Sequence, residues 1–415
     1  MNENYYQRKN CRICLSSNIV KALSLEPTPP GNNFVSRGQL NSKEETYPLI
    51  LYFCKDCSHI QLGHVVNPSI LYQNDYSYLT STSPVFVKHF EKYASHVNDI
   101  IQLPDRSFII DIGSNDGTCL SFFKKMGFNV LGVDPAENIA NIAKKNGINT
   151  IPEFFSSTLA KKIKNEYGLA DLITSHNACA HIDDLDDILS GIDILLKDDG
   201  VFILEVGYFL DVFNNRWFDT IYHEHLDYHT VVPLEKLFSR FNMQIFKVER
   251  INPQGGSIRV FIQKQNGNRI IDNSVDQLIS LEKDKGIDKL DSLIKFEKYI
   301  KEVKQDLINL IREIKNNGKT IAAFGAPTKA TTLCYYFEIN KKDIDFIIDD
   351  NKLKQNLFTP GKHIPVFSQE KLYEQQPDYL LILAWNFAES IMQKHKAYKD
   401  KGGRFIIPMP KPQII

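Results

Sequence analysis

The sequence predicts an α/β protein in which two strand-and-helix units follow a short cysteine-bearing segment. Three features carry this expectation. From Phe108 onward, short apolar runs alternate with amphipathic stretches, the pattern of a parallel sheet covered on both faces. A second, shorter alternation begins near residue 318. Ahead of both, two Cys-x-x-Cys pairs stand in a polar, turn-rich stretch.

A length of 415 residues exceeds one ordinary domain, and the patterning divides it into 1–80, 81–270, a connecting segment 271–317, and 318–415. Hydrophobic residues at 43% and charged residues at 24% suffice for a well-buried core. A net charge of −1 provides no electrostatic footprint for nucleic acid or an anionic membrane, so neither is expected as a partner. The first ten residues lack a signal peptide's apolar stretch, and no apolar run approaches the ~20 residues that span a bilayer. A cytoplasmic protein is expected.

The first ~80 residues read as irregular, with a turn-rich run from Pro27 to Asn33. A helix is predicted over 85–101, then strands over 108–112, 130–134, 172–175 and 200–205. Two further strands, 244–250 and 257–263, form a hairpin that closes the first sheet. Ile300, Val303, Leu307, Ile311 and Ile314 recur at helical spacing, and Asn317-Gly318 supplies a stop, giving a connecting helix. The second unit has strands over 320–324, 344–348, 379–383 and 404–407.

Cys11, Cys14, Cys54 and Cys57 form two matched knuckles. Two intervening residues let both thiolates of a pair face one ion, and four sulfurs at about 2.3 Å complete a closed tetrahedral Zn2+ shell. Such an ion is structural and contributes folding energy to a segment poor in core. The rival is a redox Cys-x-x-Cys, but redox motifs come singly on a strand–helix turn. His59 has the wrong offset for a ligand and reads as a packed or surface histidine, and Cys119, Cys179 and Cys334 read as small buried residues.

Residues 108–117 form a buried strand running into a turn that opens a helix, with Asp111, Gly113, Ser114, Asn115 and Gly117 in or beside it. The glycine spacing is G-x-x-x-G, not the G-x-G-x-x-G of a dinucleotide loop, and a pyrophosphate disfavours the two carboxylates, Asp111 and Asp116, at the turn. A cationic ligand suits them: Asp111 can face the amino and sulfonium end of S-adenosylmethionine. Asp134, 23 residues after Asp111, is placed for the ribose hydroxyls, as it would also be for NAD. Asn177 follows the next strand at the sheet's carboxyl edge, where ligands bind. Phe154 and Phe155 are candidates to stack on adenine or to fill the core.

The segment 218–228 is dense in titratable groups, including Tyr222, His223, Glu224 and His225. Its histidines are two apart, which excludes the i,i+4 pairing of H-E-x-x-H, and a solvated loop is the alternative to a site. Together with the cysteine pairs, Pro30-Gly31-Asn32-Asn33-Phe34, Asp111 to Gly117, Asn177 to His181, Gly255 to Arg259, Gly325 to Lys329 and the 349–365 stretch, this segment resembles the sugar C-methyltransferase family. The match runs in order along nearly the whole chain. Three departures stand on the substrate side: Gln254 before the Gly-Gly-Ser turn, Glu205-Val206-Gly207, and Pro327-Thr328 in the C-terminal loop.

The resemblance implies a zinc-binding N-terminal domain, a class I methyltransferase (Rossmann-like) central domain and a second Rossmann-like domain without a dinucleotide. It implies a nucleotide-linked 4-keto sugar as partner, with no oligomeric state assigned. Carried over, His225 is the candidate base and Tyr222 its companion, while Glu224 orients a histidine or holds a sugar hydroxyl. His181 and Tyr76 line the cleft. Lys329, with Thr328 beside it, is a candidate for the diphosphate or a solvated lysine. The expected reaction is methylation at C3 through an enolate. Methylation of oxygen or nitrogen on a related nucleotide sugar is the runner-up, and a non-catalytic nucleotide-sugar binder the third reading.

Overall fold

The computed structural model describes residues 4–72, 79–252 and 255–415. Its centre is a seven-stranded sheet in the order Met243–Ile251, Ser257–Lys264, Leu196–Gly207, Ala170–His176, Phe108–Ile112, Asn129–Val133, Thr150–Ile151. The last five run parallel, and Ser257–Lys264 is antiparallel to both its neighbours. This is the class I methyltransferase arrangement, with the hairpin inserted beside the fifth parallel strand. Helix Pro84–Ile101 enters the fold with Ser83 as its cap and Pro84 in its first turn, where a missing N–H costs nothing. It buries Phe90, Tyr93, Ala94, Val97 and Ile101 against one sheet face.

The first 80 residues, expected to be irregular, contain a sheet within their described part. Strands Ile19–Thr28, Tyr47–Cys54 and Ile60–Leu62 form an antiparallel sheet joined at its edge by Asp227–Tyr228 from the central region. The longest strand escapes periodicity because its register breaks between Lys21 and Leu23 and again between Leu25 and Thr28. Each bulge shifts the apolar positions to the other phase of the alternation.

The C-terminal region is a second Rossmann-like sheet, ordered Val366–Phe367, Ile347–Ile348, Ile321–Phe324, Tyr379–Ile382, Arg404–Ile407, Gln413–Ile414, parallel except for the last strand. Helix Leu290–Asn316 leads into it and buries Phe296, Ile300, Val303, Leu307 and Ile311. Each such side chain contributes roughly 1.5–3 kcal/mol of transfer free energy before ordering costs. That stripe belongs to one apolar cluster running from Leu49 and Leu51 of the N-terminal sheet to Leu333 and Leu381 of the C-terminal unit. Among the described residues no helix is long and apolar enough to cross a membrane.

Candidate functional site

Cys54 ends its strand and Cys57 follows on the turn, facing the Cys11–Cys14 turn. The four Sγ atoms lie within 4.8 Å of one another. Cys11 and Cys57 are 3.5 Å apart and Cys14 and Cys54 3.6 Å. A tetrahedron with 2.3 Å arms has edges of about 3.8 Å, so the thiols fit one ion in a closed shell. His59 points elsewhere: its Nε2 meets Asp227 Oδ1 at 2.7 Å in a fully buried pair.

At the carboxyl edge of the central sheet, Gly113 and Gly117 have φ of +76° and +77°. A Cβ on Gly113 would lie 2.4 Å from that of Ala178, so the turn is closed against the next loop by lack of a side chain. The Asn115 N–H donates to Asp134 Oδ2 at 2.9 Å and the Ala136 N–H to Oδ1 at 3.0 Å, which orients the buried Asp134 carboxylate within the turn. The Asn177 N–H donates to the Glu205 carbonyl at 2.7 Å, fixing that loop beside the fifth strand. Asp111 is the distinctive group. It is 2% exposed, its Oδ1 and the neighbouring Ser114 Oγ have no partner among the described residues, and burial followed by the charges of Asp134 and Glu205 pushes its carboxyl well above the usual range. A buried carboxylate short of a partner fits the ammonium end of S-adenosylmethionine. Phe155 is core, whereas Phe154 is exposed.

Segment 221–225 divides its side chains between two directions. His223 and Glu224 are 1% and 6% exposed, which overturns the solvated-loop alternative. His223 Nε2 donates to the Tyr47 carbonyl at 3.1 Å, tying the segment to the N-terminal sheet. Glu224 accepts from Asn32 Nδ2 at 3.0 Å, and burial pushes its carboxyl up to about 7 against the pull of Asn32 and Lys354. Among the described residues its hydrogen-bond partner is Asn32, and no hydrogen bond joins it to a histidine.

His225 turns the other way. Its Nδ1 lies 2.9 Å from the Thr220 carbonyl, which can only accept, so Nδ1 carries the hydrogen and Nε2 the lone pair. The Tyr222 hydroxyl donates to that Nε2 at 2.6 Å. The His181 ring lies 5.1 Å away, with a buried Nε2 that has no partner among the described residues, and stacks on Tyr72. Burial, then the neighbouring His181, lowers His225 to about 3, and burial lowers His181 to about 4. Both are neutral bases near pH 7. Tyr76 and Gln254 lie outside the described residues.

Lys329 comes from the C-terminal unit. Its Nζ donates to Asn386 at 2.7 Å, lies 3.8 Å from Asp219 and sits 4.5 Å above the Trp385 ring. The Trp385 indole donates to Asp219 at 2.6 Å. This cage holds Lys329 beside segment 218–228 with its side chain only 16% exposed, so it is not a freely solvated lysine. Thr328 opens helix Thr328–Tyr336, and a Cβ at Gly31 would fall 2.5 Å from its carbonyl oxygen, so it packs against the Pro30–Phe34 loop.

Sequence patterns did not single out Asp219, Trp385, Lys354 or the buried cluster in which Glu205 binds His89, His176 and Arg259 at 2.6–3.1 Å. Their partners are far apart along the chain, and only the chemistry-dense 218–228 segment hinted at Asp219.

Family models match three consecutive regions: a candidate zinc binding domain over residues 11–72, a methyltransferase domain over 87–248, and a C-methyltransferase C-terminal domain over 252–410. The chain is 33% identical over 405 residues to C-methyltransferase NovU of Streptomyces niveus, covering 98% of this chain and 96% of that protein. Solved structures with similarity include the PH0226 protein of Pyrococcus horikoshii, at 14% identity and a TM-score of 0.37 over 45% of this chain and 95% of that one. An S-adenosylmethionine-dependent methyltransferase of Clostridium acetobutylicum aligns at 15% identity and 0.35, over 44% and 92%.

Proposed function

The chain belongs to the S-adenosylmethionine-dependent C-methyltransferase family, and from that footing we propose that it methylates C3 of a nucleotide-linked 4-keto sugar through an enolate. The observation that carries this reading is the neutral His225, held by Thr220 at one nitrogen and presenting the other to Tyr222, with neutral His181 alongside. A carbon acid beside a ketone needs a base that is unprotonated at working pH and a donor for the enolate oxygen.

In this reading His225 Nε2 takes the proton from C3 as the C3–H bond breaks. The electron pair moves into a C3–C4 double bond, and the ketone oxygen becomes an enolate. The Tyr222 hydroxyl, released from Nε2, or His181 donates to that oxygen. Each such donor is typically worth a few kcal/mol. S-adenosylmethionine, when bound, would supply a methyl group already activated on a sulfonium for transfer to C3, with the thioether as leaving group. Asp111 holds the amino end of the cofactor and Asp134 its ribose, with Gly113, Ser114, Asn115, Gly117 and Asn177 shaping the pocket. Glu224 accepts a sugar hydroxyl and Lys329 neutralises the diphosphate. The four thiols hold one structural Zn2+.

The test is mass spectrometry of a panel of nucleotide 4-keto deoxysugars incubated with methyl-labelled S-adenosylmethionine in deuterated water. Label in one member together with loss of its C3 proton is the expected result. Label without C–H loss would move the reaction to oxygen or nitrogen.

A further inference from the structure

The first thiol knuckle contains a residue that reaches the catalytic loops. Arg12 stands between Cys11 and Cys14 and is 1% exposed. Its backbone N–H donates to Gln61 Oε1 at 2.8 Å. Its guanidinium addresses two loops at once. Nε donates to Asp183 Oδ1 at 2.7 Å, two residues beyond His181. Nη1 donates to the carbonyls of Leu62 at 2.8 Å and of Leu226, next to His225, at 3.3 Å. Asp227 Oδ1 lies 4.0 Å from the same nitrogen. The loops are also stitched directly, the Leu226 N–H donating to the Ala180 carbonyl at 2.8 Å. Arg8 and Tyr6 bind Asp183 from the same N-terminal segment.

A fully buried guanidinium is costly to desolvate, and an apolar side chain of similar volume would fill the space at less cost. What an apolar residue cannot do is grip a carboxylate and two carbonyls in fixed relative positions, which the planar five-donor fork does. The backbone that carries this fork lies between Cys11 and Cys14, two of the four thiols that would hold the ion, and a filled shell would fix it.

We propose that Arg12 is a positioning residue through which the four-thiol metal site holds the His181 and His225 loops in register. Filling of the knuckle thereby sets the alignment of the proton-transfer groups. The proposal rests on the reading of His225 as base. A misplacement near 1 Å at such a pair can lower turnover about 100-fold.

The test is hydrogen exchange by mass spectrometry on the full zinc-loaded chain, comparing wild type, Arg12→Lys, Asp183→Asn and wild type stripped with a chelator. Stripping and Arg12→Lys should both speed exchange over 178–183 and 220–229 about tenfold more than over strand Phe108–Ile112, which reports global stability. Asp183→Asn, outside the knuckle, should loosen 178–183 with metal content intact. In the labelled-methyl assay Arg12→Lys should lower kcat roughly 10- to 100-fold, with KM for S-adenosylmethionine within about twofold. Wild-type exchange over both peptides after stripping, or in zinc-loaded Arg12→Lys, overturns the proposal. Should Arg12→Lys lose its metal, unchanged exchange over 178–183 in Asp183→Asn overturns it instead. His225→Ala separates the two readings: full turnover in that variant sinks the base assignment, while the exchange data still judge Arg12.

Discussion

Tyr222 donates its hydroxyl to Nε2 of His225 across 2.6 Å, while the Thr220 carbonyl occupies the opposite ring nitrogen at 2.9 Å. The ring is therefore fixed in one tautomer and one orientation by a backbone atom five residues away, and its basic nitrogen faces the Tyr222 hydroxyl. The two rings lie 3.9 Å apart, and in the proposed mechanism the hydroxyl leaves Nε2 for the substrate oxygen.

His225→Ala should lower turnover by ~10²- to 10⁴-fold, the usual contribution of a general base, and leave S-adenosylmethionine affinity within about twofold. Tyr222→Phe keeps the ring and removes the donor, so it should cost about 10- to 100-fold, mostly in kcat. Steady-state kinetics with calorimetric titration of the cofactor checks both. Strong loss of cofactor affinity in either variant would place these residues in the wrong pocket.

Glu224 should set the acidic limb of the pH profile. Burial raises its carboxyl from the usual range to about 7, so the group holds its proton below that pH and is a carboxylate only above it. His225 and His181, lowered to about 3 and 4, are already neutral above pH 5 and contribute no limb there. At saturating S-adenosylmethionine, the kcat/KM of the wild type for the sugar should therefore fall as pH drops below about 7, and Glu224→Gln should flatten that fall at a lower plateau. A limb that persists at the same pH in Glu224→Gln would assign the titration to another group.

These groups were unequally legible in the sequence. The thiol knuckles and the 108–117 strand and turn are local patterns, so spacing alone exposes them. Strand Ile19–Thr28 was hidden by its two bulges, and strands of two residues such as Thr150–Ile151, Val366–Phe367 and Gln413–Ile414 are too short to show any period. The strand expected over 344–348 begins only at Ile347, because the Ile344 amide donates back to the Asn340 carbonyl in a turn. Glu224 stood out by residue type, but its partner Asn32 is 192 positions away, and the Trp385–Asp219 contact spans 166. No window along the chain contains both halves of such a pair.

Metal content should be one equivalent of zinc per chain, and Cys54→Ser should carry well under that. Four thiolates in a closed shell supply roughly 10 kcal/mol or more of apparent binding free energy, most of it available to folding. Because Cys11, Cys54 and Cys57 also join the apolar cluster beneath the central sheet, loss of the ion should lower the melting temperature of the whole chain by several degrees or more. Elemental analysis with a chelator titration followed by calorimetry measures both. A zinc-free protein of unchanged melting temperature would remove the metal from the account.

Cofactor binding should release a proton and tighten as pH rises. In the free protein Asp111 is pushed upward by burial first, then by Asp134 and Glu205, so it retains its proton where an ordinary carboxyl would have lost it. A cation brought to its unpartnered Oδ1 favours the ionised form and drives the proton off. The affinity for S-adenosylmethionine should thus increase with pH below the free-state value of Asp111, by up to about tenfold per unit for one proton. Asp111→Asn should weaken binding and abolish this dependence, because the amide neither titrates nor attracts a charge. Calorimetry in two buffers of different ionisation enthalpy counts the released proton directly. Binding that is independent of pH in the wild type, or equally dependent in Asp111→Asn, would show that another group receives the amino end of the cofactor.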